Sequence, residues 1–209
     1  MINVKFIILF ITIIISGSLS FYIFSNETKK VHGDLKLDNN VKVLNRGEDR
    51  ITIKPGYEKI GRLQARKVSS WTRENPSSSM RVAQYSIDYA KDNGQLVAFS
   101  GIGGSSDENI NRWYKQFKPE SNLSIPETSV KWDLNKGRFK IKFVYFEGTF
   151  LKSNMRMSSV TEELKDYALL AAIISGANEP YYFKMTGPKS LIKSQKSLFE
   201  SFIESIEII

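Results

Sequence analysis

Nineteen residues, Phe6 to Phe24, form a nearly unbroken apolar run behind a single Lys5. At a helical rise of about 1.5 Å per residue such a run spans roughly 28 Å, close to the ~30 Å hydrocarbon thickness of a bilayer. It divides the chain, because whatever folds in water must be built from the residues behind it. The expectation is one N-terminal transmembrane helix, a signal anchor over residues 1–25. A basic start, an apolar core from Phe6 to Ile15 and the small residues Ser16, Gly17 and Ser18 also fit a cleavable signal peptide. Leu19 and Phe21 to Phe24 continue the run past any such cut and favour retention. The layout predicts a single-pass inner (cytoplasmic) membrane protein whose domain faces the periplasm or exterior; cleavage would instead give a secreted protein.

Residues 26–65 are polar and basic without sustained periodicity, and read as a juxtamembrane linker. Residues 66–209 have the size of one domain with one core. With 41% hydrophobic and 25% charged residues the composition is that of a folded protein. Its net charge of +8 is uneven: residues 1–34 carry +1, residues 35–75 carry +5 and residues 76–209 carry +2. Lys54, Lys59, Arg62, Arg66 and Lys67 are offset locally only by Glu58. Each cation near an anionic lipid surface is worth about 1 kcal/mol, so this basic patch is a candidate for contact with anionic lipid; a solvated tether is the other reading.

Period-two alternation then places strands. Ala83, Tyr85, Ile87 and Tyr89 share one face of Met80 to Tyr89, and Lys91 to Gly94 forms a turn into Gln95 to Ser100. A second hairpin joins Val130 to Asp133 with Arg138 to Gly148 across Asn135-Lys136-Gly137. Tyr167 to Ser175 is apolar throughout, which suits a central strand covered on both faces; a helix starting near Thr161 is the alternative. Tyr181 to Thr186 is its partner strand.

Two helices complete the pattern. Ser105 and Glu108 fit a capping box after Gly101, Gly103 and Gly104, and Ile110, Trp113, Tyr114 and Phe117 make one apolar stripe. Gly187-Pro188 opens a terminal helix striped by Leu191, Ile192, Gln195, Leu198, Phe199, Phe202, Ile203 and Ile206. The fold class expected is α+β: an antiparallel β-sheet of about six strands with helices packed on both faces.

The segments SSSMRVAQYSI, GGSSDENINRWYKQF, EGTF, LLAAII and YYFKMTGP, with the terminal helix after them, resemble a bacterial exported or membrane-anchored protein family of unknown function with a PsbP-like α/β/α sandwich fold. The resemblance covers Trp71 to Ile209, and its most specific part is Asn109-x-Asn111-Arg112-Trp113-x-x-Gln116-Phe117. It implies an accessory or partner-binding module.

Little catalytic chemistry is available. Cysteine is absent and His32 is the one histidine, about forty residues before the recognisable domain. Thiolate chemistry and Ser-His catalysis therefore lack their groups, and no metal site or cofactor is expected. The glycine loop lacks nucleotide-fingerprint spacing and is followed by Asp107 and Glu108, so it reads as a strand-to-helix turn. The near-neutral domain argues against nucleic acid. Asn109, Asn111, Arg112 and Gln116 are the candidate binding residues, either a partner-recognition patch or a polar brace for the loop. The expected function is a non-enzymatic, membrane-tethered envelope module binding a protein partner, anionic lipid or another envelope component. The alternative is a hydrolase or a lipid or small-molecule carrier with an apolar pocket and carboxylate-based chemistry.

Overall fold

The computed structural model describes residues 52–90, 92–153 and 161–209. The apolar run, His32 and the linker up to residue 51 lie outside the described residues. Among those described, no helix is long and apolar enough to cross a membrane.

Eleven strands and three helices follow one another: β1 (Tyr57–Ile60), β2 (Leu63–Arg66), β3 (Thr72–Glu74), β4 (Arg81–Ile87), β5 (Gly94–Ser100), α1 (Ser106–Tyr114), β6 (Phe117–Lys118), α2 (Ile125–Thr128), β7 (Val130–Lys136), β8 (Phe139–Ser153), β9 (Thr161–Ser175), β10 (Tyr181–Pro188), α3 (Lys189–Glu204) and β11 (Glu207–Ile208). The main sheet has eight strands, all antiparallel, in the order β3-β4-β5-β10-β9-β8-β6, with β7 also on the outer edge of β8. A separate sheet is ordered β1-β2-β11.

The architecture corrects the expected α/β/α sandwich of about six strands with one helix layer on each face. The described chain is mostly β, in two sheets, with few helices. One face of the main sheet carries α3 together with the three-stranded sheet. The other carries only the nine-residue α1 and the single turn of α2. The stretch 57–65, read as linker, is a hairpin of this fold. Its core side is supplied by Ile60, Leu63 and Ala65, all buried, and its third strand comes from the end of the chain. Strands of two to four residues with one polar face carry too little periodicity to be seen.

Strand β9 explains where the core sits. Ala168, Leu170, Ala172 and Ile174 point into the layer beneath α3, while Leu169, Ala171 and Ile173 point into the layer beneath α1. Successive side chains of a strand face opposite ways, so an all-apolar strand demands cover on both sides. The α3 layer is held by edge-on aromatic packing: Trp71 lies 5.1 Å from Phe202, Tyr85 lies 6.1 Å from both, and Trp71 Nε1 donates to Gln195 Oε1 at 2.9 Å. Leu198, placed on the apolar stripe by its spacing, is instead exposed. Helix α1 ends at Tyr114, short of the expected Phe117. Phe117 pairs with Phe150 as the start of β6, and the Gln116 carbonyl accepts from the Leu151 N–H at 2.8 Å.

The β1–β2 turn is pinned through the core. Tyr181 reaches up from β10 and its hydroxyl accepts from the Arg62 N–H at 3.0 Å. Gly61 has φ +62°, and a Cβ there would sit 2.9 Å from that hydroxyl oxygen. Gly56 also has a positive φ (+76°) but open space around it. Alanine at either position incurs left-handed strain of roughly 1–2 kcal/mol. Gly61→Ala is expected to cost at least about 1 kcal/mol more than Gly56→Ala, because Tyr181 must also move. Urea unfolding of both variants checks this; equal losses would show that the Tyr181 contact contributes nothing.

Candidate functional site

Three of the four residues singled out on and just after α1 have side-chain partners within the protein. Ser105 caps the helix: its hydroxyl accepts from the Glu108 N–H at 3.2 Å, and the Glu108 carboxylate accepts from the Ser105 N–H at 2.6 Å. Those bonds hold the Glu108 carboxyl below its usual range. Asn109, buried, donates Nδ2 to the Ser105 carbonyl at 2.9 Å and at 3.4 Å to those of Gly103 and Gly104. Arg112 folds back and donates to the Gly103 carbonyl at 2.6 Å. Gly104 lies under this guanidinium with φ +94°, where a Cβ would come 2.4 Å from Arg112 Nη2. Asn109 and Arg112 therefore brace the glycine loop. Asn111 is exposed. Gln116 points elsewhere: its side-chain oxygen accepts from Lys184 Nζ.

The basic stretch forms part of the three-stranded sheet. Lys59 and Arg66 lie on the side of the hairpin opposite the buried Ile60, Leu63 and Ala65, with Arg62 in the turn and Lys67 just after β2. All four are exposed, and none forms an ion pair among the described residues. Lys54 is different, since its ammonium lies 2.5 Å from the Glu207 carboxylate. Glu58, the local anion, is bound to Arg73 at 3.1 Å.

A cleft of about 440 Å³ opens between the Pro119–Ser121 loop, Val130, Tyr145, Glu147 and Lys189. Its charged groups all have partners within the fold. Glu147 accepts from the Tyr145 hydroxyl at 2.5 Å and lies 2.9 Å from Lys193 and 3.6 Å from Lys189. Lys189 also faces Asp166 at 3.5 Å. Glu120 accepts from Thr149 Oγ1 and the Asp166 N–H, both at 3.0 Å. Burial pushes the Glu147 carboxyl up, but the Tyr145 hydroxyl, Lys193 and Lys189 outweigh it and hold it below the usual range. Burial and then the bond to Glu147 raise the Tyr145 hydroxyl beyond its ordinary value. A general acid working near neutrality needs a carboxyl raised toward pH 7. Glu147 is shifted the other way, so this cleft is lined by ion pairs rather than by a poised acid and base.

Lys184 was not singled out by the sequence reading. It stands on β10, between β5 and β9, on the same face as Tyr182 and Thr186. Its ammonium meets the Gln116 amide oxygen and lies 5.7 Å from the Phe150 ring centroid. No carboxylate lies within ion-pair distance of it among the described residues. Burial first, and the charge of Arg81 second, lower its pKa to about 8. The signal available in the sequence is a lysine alternating with Tyr182 and Thr186 inside a strand whose other side chains, Tyr181, Phe183 and Met185, are all core.

Among the described residues no group of His, Asp or Glu side chains is arranged to hold a metal ion. No family model matches the chain and no curated protein matches it, so the resemblance to an exported bacterial family draws no support from these comparisons.

A cation whose pKa falls on folding lowers stability wherever it is charged. The cost is fully present below about pH 8, shrinks as pH rises toward the ordinary lysine value of 10.5, and is absent above it. Lys184→Met, similar in length and uncharged, is therefore expected to raise stability at pH 7 by on the order of 1–3 kcal/mol. The advantage should fade between pH 8 and 10.5. Denaturant unfolding at pH 7 and pH 10 checks this, and a variant less stable than the parent at pH 7 would contradict it.

Proposed function

We propose that the protein is a non-enzymatic binding module of the cell envelope, held at a membrane by the apolar run Phe6 to Phe24, with its first hairpin against an anionic surface. The observation that carries this reading is the set of exposed, unpaired cations Lys59, Arg62, Arg66 and Lys67 at the end of the fold where the chain enters at residue 52. Elsewhere, Lys118, Lys142, Lys152, Lys189 and Lys193 each have a carboxylate within 4 Å, while Lys115, Lys131, Arg138, Lys140, Lys165 and Lys196 are exposed without an ion pair among the described residues. What sets the hairpin apart is the uneven charge along the sequence, +5 over residues 35–75 against +2 over residues 76–209. Four cations at about 1 kcal/mol each supply weak binding alone, which a tether converts into stable apposition by raising the effective concentration.

A hydrolase reading finds less support. The carboxylate in the cleft with a resolved shift is held ionised by two lysines and a tyrosine, and ion-paired walls favour recognition of a polar group over proton transfer.

Residues 51–209 form a compact unit by themselves. That fragment is expected to co-sediment with vesicles containing phosphatidylglycerol and not with phosphatidylcholine alone. Lys59→Glu with Arg66→Glu should weaken the binding at least tenfold, and salt should weaken it too. Equal partitioning to the two vesicle types would refute the surface contact.

A further inference from the structure

We propose that Lys184 and Arg81 form a binding site for an oxyanion, a carboxylate or phosphate group borne by a small polar molecule, on the α1 side of the main sheet. The inference goes beyond the membrane contact just described and does not rest on it, since the two sites use different residues on different sheets.

Strand register puts the two cations on one face. Lys184 is opposite Val97 on β5, and Val97 is opposite Gln84 on β4. Arg81 is opposite Phe99, which is opposite Tyr182 two residues along from Lys184. A register shift between Arg81 and Ala83 brings Arg81 to this side, while Ala83 and Tyr85 remain in the other core layer. Bulges re-aim a side chain in this way. The lateral neighbours of Lys184, Val97 and Ala171, are short, so the long lysine stem rises between them.

Each acceptor that meets these cations is a neutral amide. Arg81 Nη1 donates to Gln84 Oε1 at 2.7 Å and Gln95 Oε1 at 3.4 Å, and its guanidinium lies 5.9 Å from the Phe99 ring centroid. Lys184 meets Gln116. The nearby carboxylate, Glu74, is occupied by Gln84 Nε2 at 2.8 Å and forms no ion pair with either cation. Two mutually repelling, partly desolvated cations are thus held by amides that spend only part of their donor capacity. Burial disfavours both charges, that of Arg81 as well as that of Lys184, and for Arg81 it outweighs the favourable charge of Glu74. An arrangement that costs stability without a counterion is completed by an anion from outside, bound through charge-assisted hydrogen bonds. The amides fix its orientation, and Phe99 and Phe150 flank it with apolar surface.

The test uses the full chain in neutral detergent micelles and follows the thermal midpoint with sodium phosphate, sodium glucuronate, or phosphatidylglycerol mixed into the micelles, each against chloride at matched ionic strength. Phosphate or glucuronate is expected to raise the midpoint of the parent by a few degrees. The shift should be lost in Lys184→Met, which is expected to fold, reduced in Arg81→Gln, and kept in the Lys59→Glu/Arg66→Glu variant. Broadening of the phosphate ³¹P line by the parent and not by Lys184→Met gives the same answer without unfolding. A shift of equal size in the parent and Lys184→Met, or none with either soluble anion, would overturn the proposal. A Lys184-dependent shift seen only with phosphatidylglycerol would place the oxyanion on a lipid headgroup and overturn the small-ligand assignment.

Discussion

The stretch Tyr167 to Ile174 of strand β9 has no polar side, and the rest of the architecture answers that constraint. Buried between β8 and β10, it needs a layer on each face, and the chain supplies two unlike ones. The α3 layer is thick and aromatic, with Trp71, Tyr85, Phe183 and Phe202 meeting at ring distances of 5–6 Å and the small sheet extending it. The α1 layer is partial. Tyr114, Phe117 and Phe146 close it over β8 and β9, while the same face of β4, β5 and β10 carries Arg81, Gln84, Gln95, Lys184 and Thr186. The sheet is therefore apolar through the centre of its α3 face, while its α1 face carries an apolar patch beside a polar one.

Elements with their own local signal were legible in the sequence. Hairpins β4–β5 and β7–β8 alternate over seven residues or more around Asn-containing turns, the second half of β9 from Tyr167 is apolar without interruption, and α1 carries its capping box. What was missed depends on partners distant in the chain. The β1–β2 hairpin shows four polar and three core residues in eight positions, and makes sense only once β11 pairs with it; Gln64 and Glu207, 143 residues apart, bond across that joint. Helix α2 had a readable mark in Ser124 and Glu127, whose carboxylate accepts from the Ser124 N–H at 2.8 Å, but one turn leaves no stripe. Among the candidate site residues, types were visible and relations were not. Asn109, Arg112 and Gln116 form one motif in sequence, yet two brace the glycine loop and the third reaches a lysine 68 residues later. That Lys184 lacks a carboxylate is a property of its surroundings in space.

Charge in this protein is divided by use. Around the cleft, Glu147, Lys189, Lys193 and Asp166 neutralise one another, so that region asks nothing of its environment. The hairpin cations are solvated and cost little to keep unpaired. Lys184 and Arg81 form no ion pair among the described residues and are not fully solvated, with only the charge of Glu74 favouring Arg81, and a protein optimised only for stability would replace them. Groups that reduce stability are commonly the ones retained for an activity.

The pairing of β11 with β2 brings the carboxyl-terminal residues beside the first described residues, through the Lys54–Glu207 ion pair, the Lys54 N–H bond to Gln64 and the Ile209 N–H bond to the Arg62 carbonyl. A force applied at residue 52 is thus borne first by a clasp made from both ends of the described fold, ahead of the eight-stranded sheet. Extra residues fused behind Ile209 would emerge beside Arg62 and Lys54, where bulk interferes with both the clasp and the basic hairpin.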